Sequence, residues 1–267
     1  MKRIKMRADQ FRKISDEQKV SMGEVWFDLI EKDHFWMEWR LRSVLRFFKE
    51  HRLDVNKKIK CLDVGAGPGI FSKQIENNSA WIVDGADLNS EALKMSPDLR
   101  GHTLLYDITE ENAEFVNQYD IVFLCDVIEH IKEPAGFLES VLKHVRSGGL
   151  IFINVPAYES LFSKYDEAVG HYRRYNKHSL KLELADQEVE IVGQRYWGGM
   201  LFLLLLVRTA IMNLFMKNKG TDEIIKQGMH PPSKLFNSMM KIVMKIELFF
   251  YRRSMFGSSL MLLARKK

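Results

Sequence analysis

Asp63-Val64-Gly65-Ala66-Gly67-Pro68-Gly69 is the stretch on which the fold of this chain turns. It follows directly on residues 60–64, an apolar run that predicts a buried strand, and it opens a helical pattern reaching about residue 76. Glycines at a strand-to-helix turn let the backbone approach a ligand where a Cβ would collide. The spacing is G-x-G-x-G behind an acid, whereas a dinucleotide-binding turn reads G-x-G-x-x-G.

Outward from that turn, short apolar runs alternate with helical patterns. Strands are predicted over residues 60–64, 81–87, 102–106, 121–125 and 150–155. A helix is predicted over about residues 133–145, with Gly148-Gly149 as its stop and Pro156 closing the strand that follows. Ile121-Val122-Phe123-Leu124 is apolar on both faces, as a strand covered by helices on both sides must be. The rhythm predicts an α/β fold with a doubly wound, Rossmann-like sheet. Residues 188–196 and 258–264 supply a sixth and a seventh strand. A hydrophobic and basic insertion of about sixty residues separates them, where a short connection is usual. Towards the N-terminus, Val25, Trp26, Leu29 and Ile30, then Trp36, Leu41, Val44, Leu45 and Phe48, predict one or two amphipathic helices. The expected organisation is an N-terminal helical region over 1–52, a core over 53–196, a helical insertion over 197–257, and a final core strand over 258–267.

With 267 residues and 46% hydrophobic content, the chain can bury one substantial core. Its two cysteines, Cys61 and Cys125, lie in predicted strands and imply no disulfide framework, which points to the reducing cytosol. The basic N-terminus lacks the apolar stretch of a secretory signal, so no export is expected. The net charge of +5 is unevenly spread. Residues 1–13 carry six Lys/Arg and one Asp, and residues 195–267 carry thirteen against three acids. Between them, acids outnumber bases thirty-one to twenty-one. Basic ends around an acidic middle suggest a polyanionic surface, nucleic acid or an anionic membrane, as partner. For the first 13 residues, solubility is the plainer reading.

Asp87 ends the second predicted strand, where a carboxylate can accept hydrogen bonds from both hydroxyls of a ribose. Asp107, with Ile108 beside it, ends the third and suits an exocyclic adenine amine and a ring face. Either aspartate alone reads as a helix cap. Three such positions at the carboxyl ends of consecutive strands, where open sheets bind ligands, point further than capping. DVGAGPG, the Asp87 of GADLN, the Asp107 of YDI and DVIEHI at 126–131 together resemble the successive motifs of class I S-adenosylmethionine-dependent methyltransferases, over residues 34–196. The resemblance implies a seven-stranded sheet with an antiparallel last strand and S-adenosylmethionine as cofactor. It assigns the methionyl part to Gly65, Ala66 and Gly67, the ribose to Asp87 with Leu88, and the adenine to Asp107 with Ile108. Cys125 joins that donor set.

Asp126, Glu129 and His130 follow the fourth strand within one turn, and helical offsets would place all three on one face. General-base chemistry is one role, since His130 has an intrinsic pKa near neutrality. Holding a divalent metal with Asp126, Glu129, His130 and His171 is the other. The connection over 165–175 gathers an imidazole, two guanidiniums, two carboxylates and aromatic rings. A solvated surface loop is the plain reading. The density of functional groups favours Asp166, Arg173, Arg174 and Tyr175 as acceptor-binding, with Glu129, His130 and His171 as the catalytic set. The pattern resembles ubiquinone-biosynthesis O-methyltransferases and small-RNA 2′-O-methyltransferases, which bind metal at such a position, although the same string occurs in relatives without metal. With His34-Phe35-Trp36 and Arg40 upstream and GHYRRY at 170–175, it looks most like bacterial methyltransferases of cell-surface glycan and lipid pathways. That likeness implies Trp36 over the donor and Arg40 reaching a carboxylate; packing of an N-terminal helix is the alternative.

The uncharged runs at 196–207 and 209–216 are each too short for a membrane span of about twenty residues. Lys234, Lys241, Lys245 and Arg252 share one helical face, while Phe236, Met239, Met240, Val243, Ile246 and Phe250 fall mostly on another. Such a helix suits a membrane interface or a packed surface position. A tail rich in Leu, Met and Ile offers few stacking platforms, so nucleic acid is the weaker partner. The expected activity is methyl transfer to an oxygen of a lipid-linked, glycan or other amphipathic small molecule. The expected location is the cytoplasm, peripheral on the inner face of an anionic membrane through 197–252. A quinone-type metal-assisted O-methyltransferase and a non-catalytic membrane adaptor are the alternatives. A nicotinamide enzyme is disfavoured by the glycine spacing.

Overall fold

The computed structural model describes residues 7, 9–18, 34–215, 220–228, 233–250 and 255–267. Eight strands among them form one sheet: β1 (Phe11–Lys13), β2 (Lys60–Val64), β3 (Ile82–Asp87), β4 (Thr103–Leu105), β5 (Tyr119–Cys125), β6 (Val145–Pro156), β7 (Val189–Trp197) and β8 (Ser259–Lys266). Their order is β1-β4-β3-β2-β5-β6-β8-β7. Pairing is parallel from β1 through β6, and β8 is antiparallel to both β6 and β7. The doubly wound α/β sheet with a reversed last strand is therefore present, with one strand more than the seven expected.

The extra strand is β1. Without it β4 would be the sheet edge, with a row of unpaired N–H and C=O groups. Phe11 to Lys13 pair in parallel with Thr103 to Leu105. Buried Gln10 donates from Nε2 to Thr103 Oγ1 at 3.0 Å and to the Pro97 carbonyl at 2.9 Å. Three residues are too few to show alternation, so the segment reads as a solubility tail from sequence and acts as an edge strand in the fold. A second correction concerns Gly148-Gly149. The helix α4 (Pro134–His144) ends before them, and Gly148, at φ +70°, sits within β6 where its pairing with β5 shifts register. The glycines make a bulge rather than a helix stop.

Three short helices, α3 (Ser90–Lys94), α5 (Lys164–Ala168) and α6 (Lys177–Leu182), lie in the connections, and longer ones cover both faces. On one, α1 (Phe35–Glu50) and α2 (Ile70–Asn77) bury Trp39, Phe47, Phe48 and Ile75 against Trp81, Phe123 and Phe152. On the other, α4 packs Leu138, Val141 and Leu142 against Val122, Leu124 and Ile153. His34 caps α1, its Nδ1 accepting from Trp36 N at 3.1 Å, which gives this histidine a structural task. The expected helical positions Val25, Trp26, Leu29 and Ile30 lie outside the described residues.

Between β7 and β8 the insertion forms α7 (Gly199–Phe215), α8 (Thr221–Gly228) and α9 (Lys234–Phe250). Among the described residues, no helix is long and apolar enough to cross a membrane. Residues 199–207 and 209–215 of the two uncharged runs form one helix, and Arg208 between them lays its guanidinium over the Tyr165 ring, 4.7 Å from the centroid. α9 packs on α1, where Asn237 Oδ1 accepts from Phe35 N at 2.8 Å. The apolar face expected on α9 divides in two: Met240 is buried, whereas Met239 and Ile246 are exposed. Arg252 and the side chain of Phe250 lie outside the described residues. Buried Glu247 on α9 accepts from Gly198 N at 2.9 Å and Met200 N at 2.7 Å, clamping the start of α7.

Removing that carboxylate leaves two helix-start N–H groups without their partner. Glu247→Ala is expected to lower unfolding free energy by about 2 kcal/mol, measured by urea denaturation, and to speed proteolysis within α7. Unchanged stability would show the clamp to be dispensable.

Candidate active site

β2 lies at the point in the sheet where the chain connections part, with β3 on one side and β5 on the other. Loops leaving two such strands diverge and open a crevice at their carboxyl ends. A cavity of about 510 Å³ occupies that place. Gly65, Ala66, Gly67, Asp87, Leu88, Asp107, Ile108, Cys125 and Arg40, nine of the ten positions expected to hold a donor, line it. Trp36 does not line it. Its ring sits under the Arg40 guanidinium, 4.8 Å from the centroid, and beside Trp197, so its place is behind the wall.

The glycine turn is shaped by contact with the next loop. Gly65 has φ +70°, and a Cβ there would lie 2.7 Å from Val127 Cγ2. Gly67 N donates to Asp87 Oδ2 at 2.8 Å and Asn89 N to Oδ1 at 2.9 Å, so the carboxylate ties the turn to the end of β3. Burial pushes Asp87 above the usual carboxylate range, while these backbone donors pull it back. Asp63 is buried as well and accepts from Ser72 Oγ at 2.6 Å; burial pushes it up to about 6.

Asp107 Oδ1 accepts from Thr109 N and Oγ1, and Oδ2 accepts from Gln18 Nε2 at 2.6 Å. Gln18 lines the cavity too. It belongs to the segment that carries β1, and no motif in the sequence signals it. Arg40 Nη1 meets Asp126 Oδ2 at 2.9 Å. Asp126 Oδ1 accepts from Asn154 Nδ2 at 3.0 Å, and Asn154 Oδ1 accepts from Trp197 Nε1 at 2.8 Å. A lone asparagine in the apolar run of β6 was the available signal for this chain of contacts.

On the other wall stand His130 and, behind it, Glu129 and His171. The two imidazoles lie 4.6 Å apart and nearly perpendicular. His171 Nδ1 donates to Asp166 Oδ1 at 2.8 Å, which fixes its ring. Burial, then the neighbouring His171, push His130 down to about 4, far from the near-neutral value its residue type suggests. Glu129 is fully buried, and neither carboxylate oxygen has a hydrogen-bond partner among the described residues. Burial, then the nearby Asp126, drive its pKa well up, favouring the neutral acid.

One ligand atom each from Glu129, His130 and His171 lies within 4.8 Å of the others. Ligands on opposite sides of an ion at about 2.1 Å stand about 4.2 Å apart, so the trio would have to draw together slightly to hold one cation. Asp126, expected in the same set, is elsewhere. It takes φ +60°, and the following turn, Ile128–His130, is a 3₁₀ turn. The α-helical offsets therefore do not apply, and Asp126 faces Arg40 instead.

The four residues expected to read an acceptor serve the fold instead, and none lines the cavity. Asp166 is completely buried and accepts from Ser163 N and Oγ, His171 Nδ1, and Arg174 Nε and Nη2. Against burial, which raises it, the His171 hydrogen bond and the charge of Arg174 hold its carboxyl at about 2. Arg173 pairs with Glu183 at 3.3 Å and donates to the Lys132 carbonyl. Tyr175 is buried in the core. A charge with no water must find a partner, and these residues found one another.

A family model described as a methyltransferase domain matches residues 32–194. Ubiquinone biosynthesis O-methyltransferase of Proteus mirabilis is 29% identical over 143 residues, covering 50% of this chain and 56% of that protein. The matched region spans about half the length of the curated relatives. A S-adenosylmethionine-dependent methyltransferase from Archaeoglobus fulgidus superposes with TM-score 0.50 at 15% identity, covering 84% of this chain and 94% of that one. The [4+2]-cyclase SpnF superposes with TM-score 0.52 at 15% identity, covering 83% and 79%. At such identities the likeness concerns the fold, and the cyclase shows that the fold serves more than one reaction.

His130 also gives the structure a pH signature. Its folded pKa of about 4 lies below the ordinary unfolded value of 6.5, so the unfolded chain binds the extra proton between them. The stability it contributes is complete above pH 6.5 and is lost as pH falls towards 4. His130→Gln is expected to reduce the difference in unfolding free energy between pH 7.5 and 4.5 by about 2–3 kcal/mol relative to wild type. An identical pH slope in the variant would place the titration elsewhere.

Proposed function

The chain belongs to the methyltransferase-domain family, within the class I S-adenosylmethionine-dependent methyltransferases, and from that premise we propose that it methylates an oxygen of an amphipathic small molecule, lipid-linked or glycan in kind. The observation that carries this reading is convergence. The glycine turn, Asp87 and Asp107 meet a half-buried imidazole, His130, across one cavity.

S-adenosylmethionine supplies an electrophilic methyl on a sulfonium. The chain's residues fit it: a turn with no Cβ at Gly65, two buried or half-buried carboxylates at the ends of β3 and β4, and a largely apolar wall including Ile108, Phe71 and Leu88. Asp87 accepts from ribose hydroxyls, with its two backbone donors holding the carboxylate in place. Asp107 and Ile108 serve the adenine, with Gln18 steadying the carboxylate. Arg40, balanced by Asp126, places a cation on the same wall. His130, kept neutral down to about pH 4, is in the state that accepts a proton from an acceptor hydroxyl throughout the physiological range. His171, its ring fixed by Asp166, stands behind it with the two ring centroids 4.6 Å apart.

A second reading, metal-assisted O-methylation of a quinone type, is favoured by one observation, the unsatisfied buried carboxylate of Glu129 beside two imidazoles. Those three residues would hold the ion, which would lower the pKa of a bound hydroxyl.

Calorimetric titration with S-adenosylmethionine, with and without EDTA, separates the readings. Wild type is expected to bind equally in both conditions, and Asp87→Ala to bind about 100-fold more weakly or worse. Equal binding by the variant would overturn the donor assignment. Methyl transfer that EDTA abolishes while donor binding persists would select the metal-assisted route.

A further inference from the structure

Two helices of the insertion turn apolar stripes to the outside. On α7 these are Met200, Leu203, Leu204, Val207, Ile211 and Leu214, which fall on one helical face, with Leu203 68% and Leu214 73% exposed. The buried positions of that helix, Leu201 and Met212, face the other way. On α9 the stripe is Leu235, Met239, Ile242, Ile246 and Phe249, with Leu235 83% exposed, while Met240, Met244 and Glu247 are buried. Soluble surfaces rarely leave apolar side chains in such continuous rows, and two such rows on helices that touch each other mark a docking face.

Charge identifies the occupant. Lys234 and Lys245 are exposed along one flank of the α9 stripe and have no carboxylate partner among the described residues. Residues 195–267 hold thirteen Lys/Arg against three acids, whereas the chain between 14 and 194 is acidic. A negative planar surface would attract the insertion and repel the core, which sets one orientation. A second copy of the chain would fit poorly, because a two-fold contact centred on the α9 stripe brings like-charged flanks together. Apolar side chains beside lysines are the pattern of a helix lying in a lipid interface.

We propose that the outward faces of α7 and α9 dock on an anionic lipid membrane. The two helices are joined by the Glu247 clamp, and α9 packs on α1, whose Arg40 lines the cavity, so docking sets the cavity close to the lipid surface. The inference rests on the exposed faces and the charge beside them and holds whatever the acceptor is.

The test is flotation of the full chain with vesicles of phosphatidylcholine alone or mixed with phosphatidylglycerol, beside calorimetry with S-adenosylmethionine and light scattering. Wild type is expected to float with the anionic vesicles and stay behind with the neutral ones. The triple variant Leu203→Gln, Ile242→Gln, Ile246→Gln is expected to lose flotation while keeping its circular dichroism and donor binding. Lys234→Gln with Lys245→Gln is expected to weaken partition roughly 30-fold. Wild type that does not float, or a triple variant that floats equally well, overturns the proposal. So does a dimer that the triple variant splits without any lipid binding. Donor binding is read separately, so failure of the methyltransferase reading would show there and not in flotation.

Discussion

The rest of the site depends on how the chain leaves the centre of its sheet. β2 ends beside β5, and the turns leaving both strands must share the same small space. Gly65 takes a left-handed conformation with Val127 against it, so that no side chain fits at either the required φ or the required distance. Once the turn is so placed, Gly67 N comes within reach of Asp87, and the end of β3 is locked to the end of β2. The crevice therefore arises from two backbone turns meeting under one steric limit. Everything that lines it is positioned by reference to that meeting.

Burial sets the chemistry of the wall that follows. The group after β5 collects three ionisable residues, and low solvent access separates them into different states. Burial pushes Asp126 up, and Arg40 at 2.9 Å and an asparagine amide at 3.0 Å oppose that shift. Glu129 has neither and is driven towards the neutral acid. His130, beside another imidazole, is driven towards the neutral base. Three residues within one turn of chain thus share the pressure of burial and differ in how far their partners offset it. Asp166 shows the opposite outcome in equal burial, since five donors surround it and its proton is lost to about pH 2.

The sheet and the donor wall were legible because both rest on local rules. Two-sided apolar runs mark covered parallel strands, and carboxylates at strand ends mark the crevice. What escaped were features that depend on distant partners. Phe11 to Lys13 become a strand only because β4 would otherwise be an open edge, a fact about residues some ninety positions away. Gln18 reaches Asp107 for the same reason. GHYRRY misled in the reverse sense. A density of charged groups in a loop reads as recognition, but Arg174 and His171 converge on a single buried aspartate, and sequence carries no mark of whether a charge faces water or another charge.

The insertion shows where the line between packing and exposure is drawn. Along α9 the amphipathic pattern was visible, but not which apolar positions would be spent on the fold. Met240 and Met244 pack inward, and Glu247, the only acid of that helix, is buried with them rather than solvated. An acid on the inward face is costly unless it meets donors, and the helix-start amides of α7 are such donors. Because that contact takes up the inward face, the remaining apolar side chains of α9 are left exposed. The outward stripe is a consequence of how α9 is anchored, so the rotation of the helix, its tie to α7 and its bare hydrophobic row form a single structural fact.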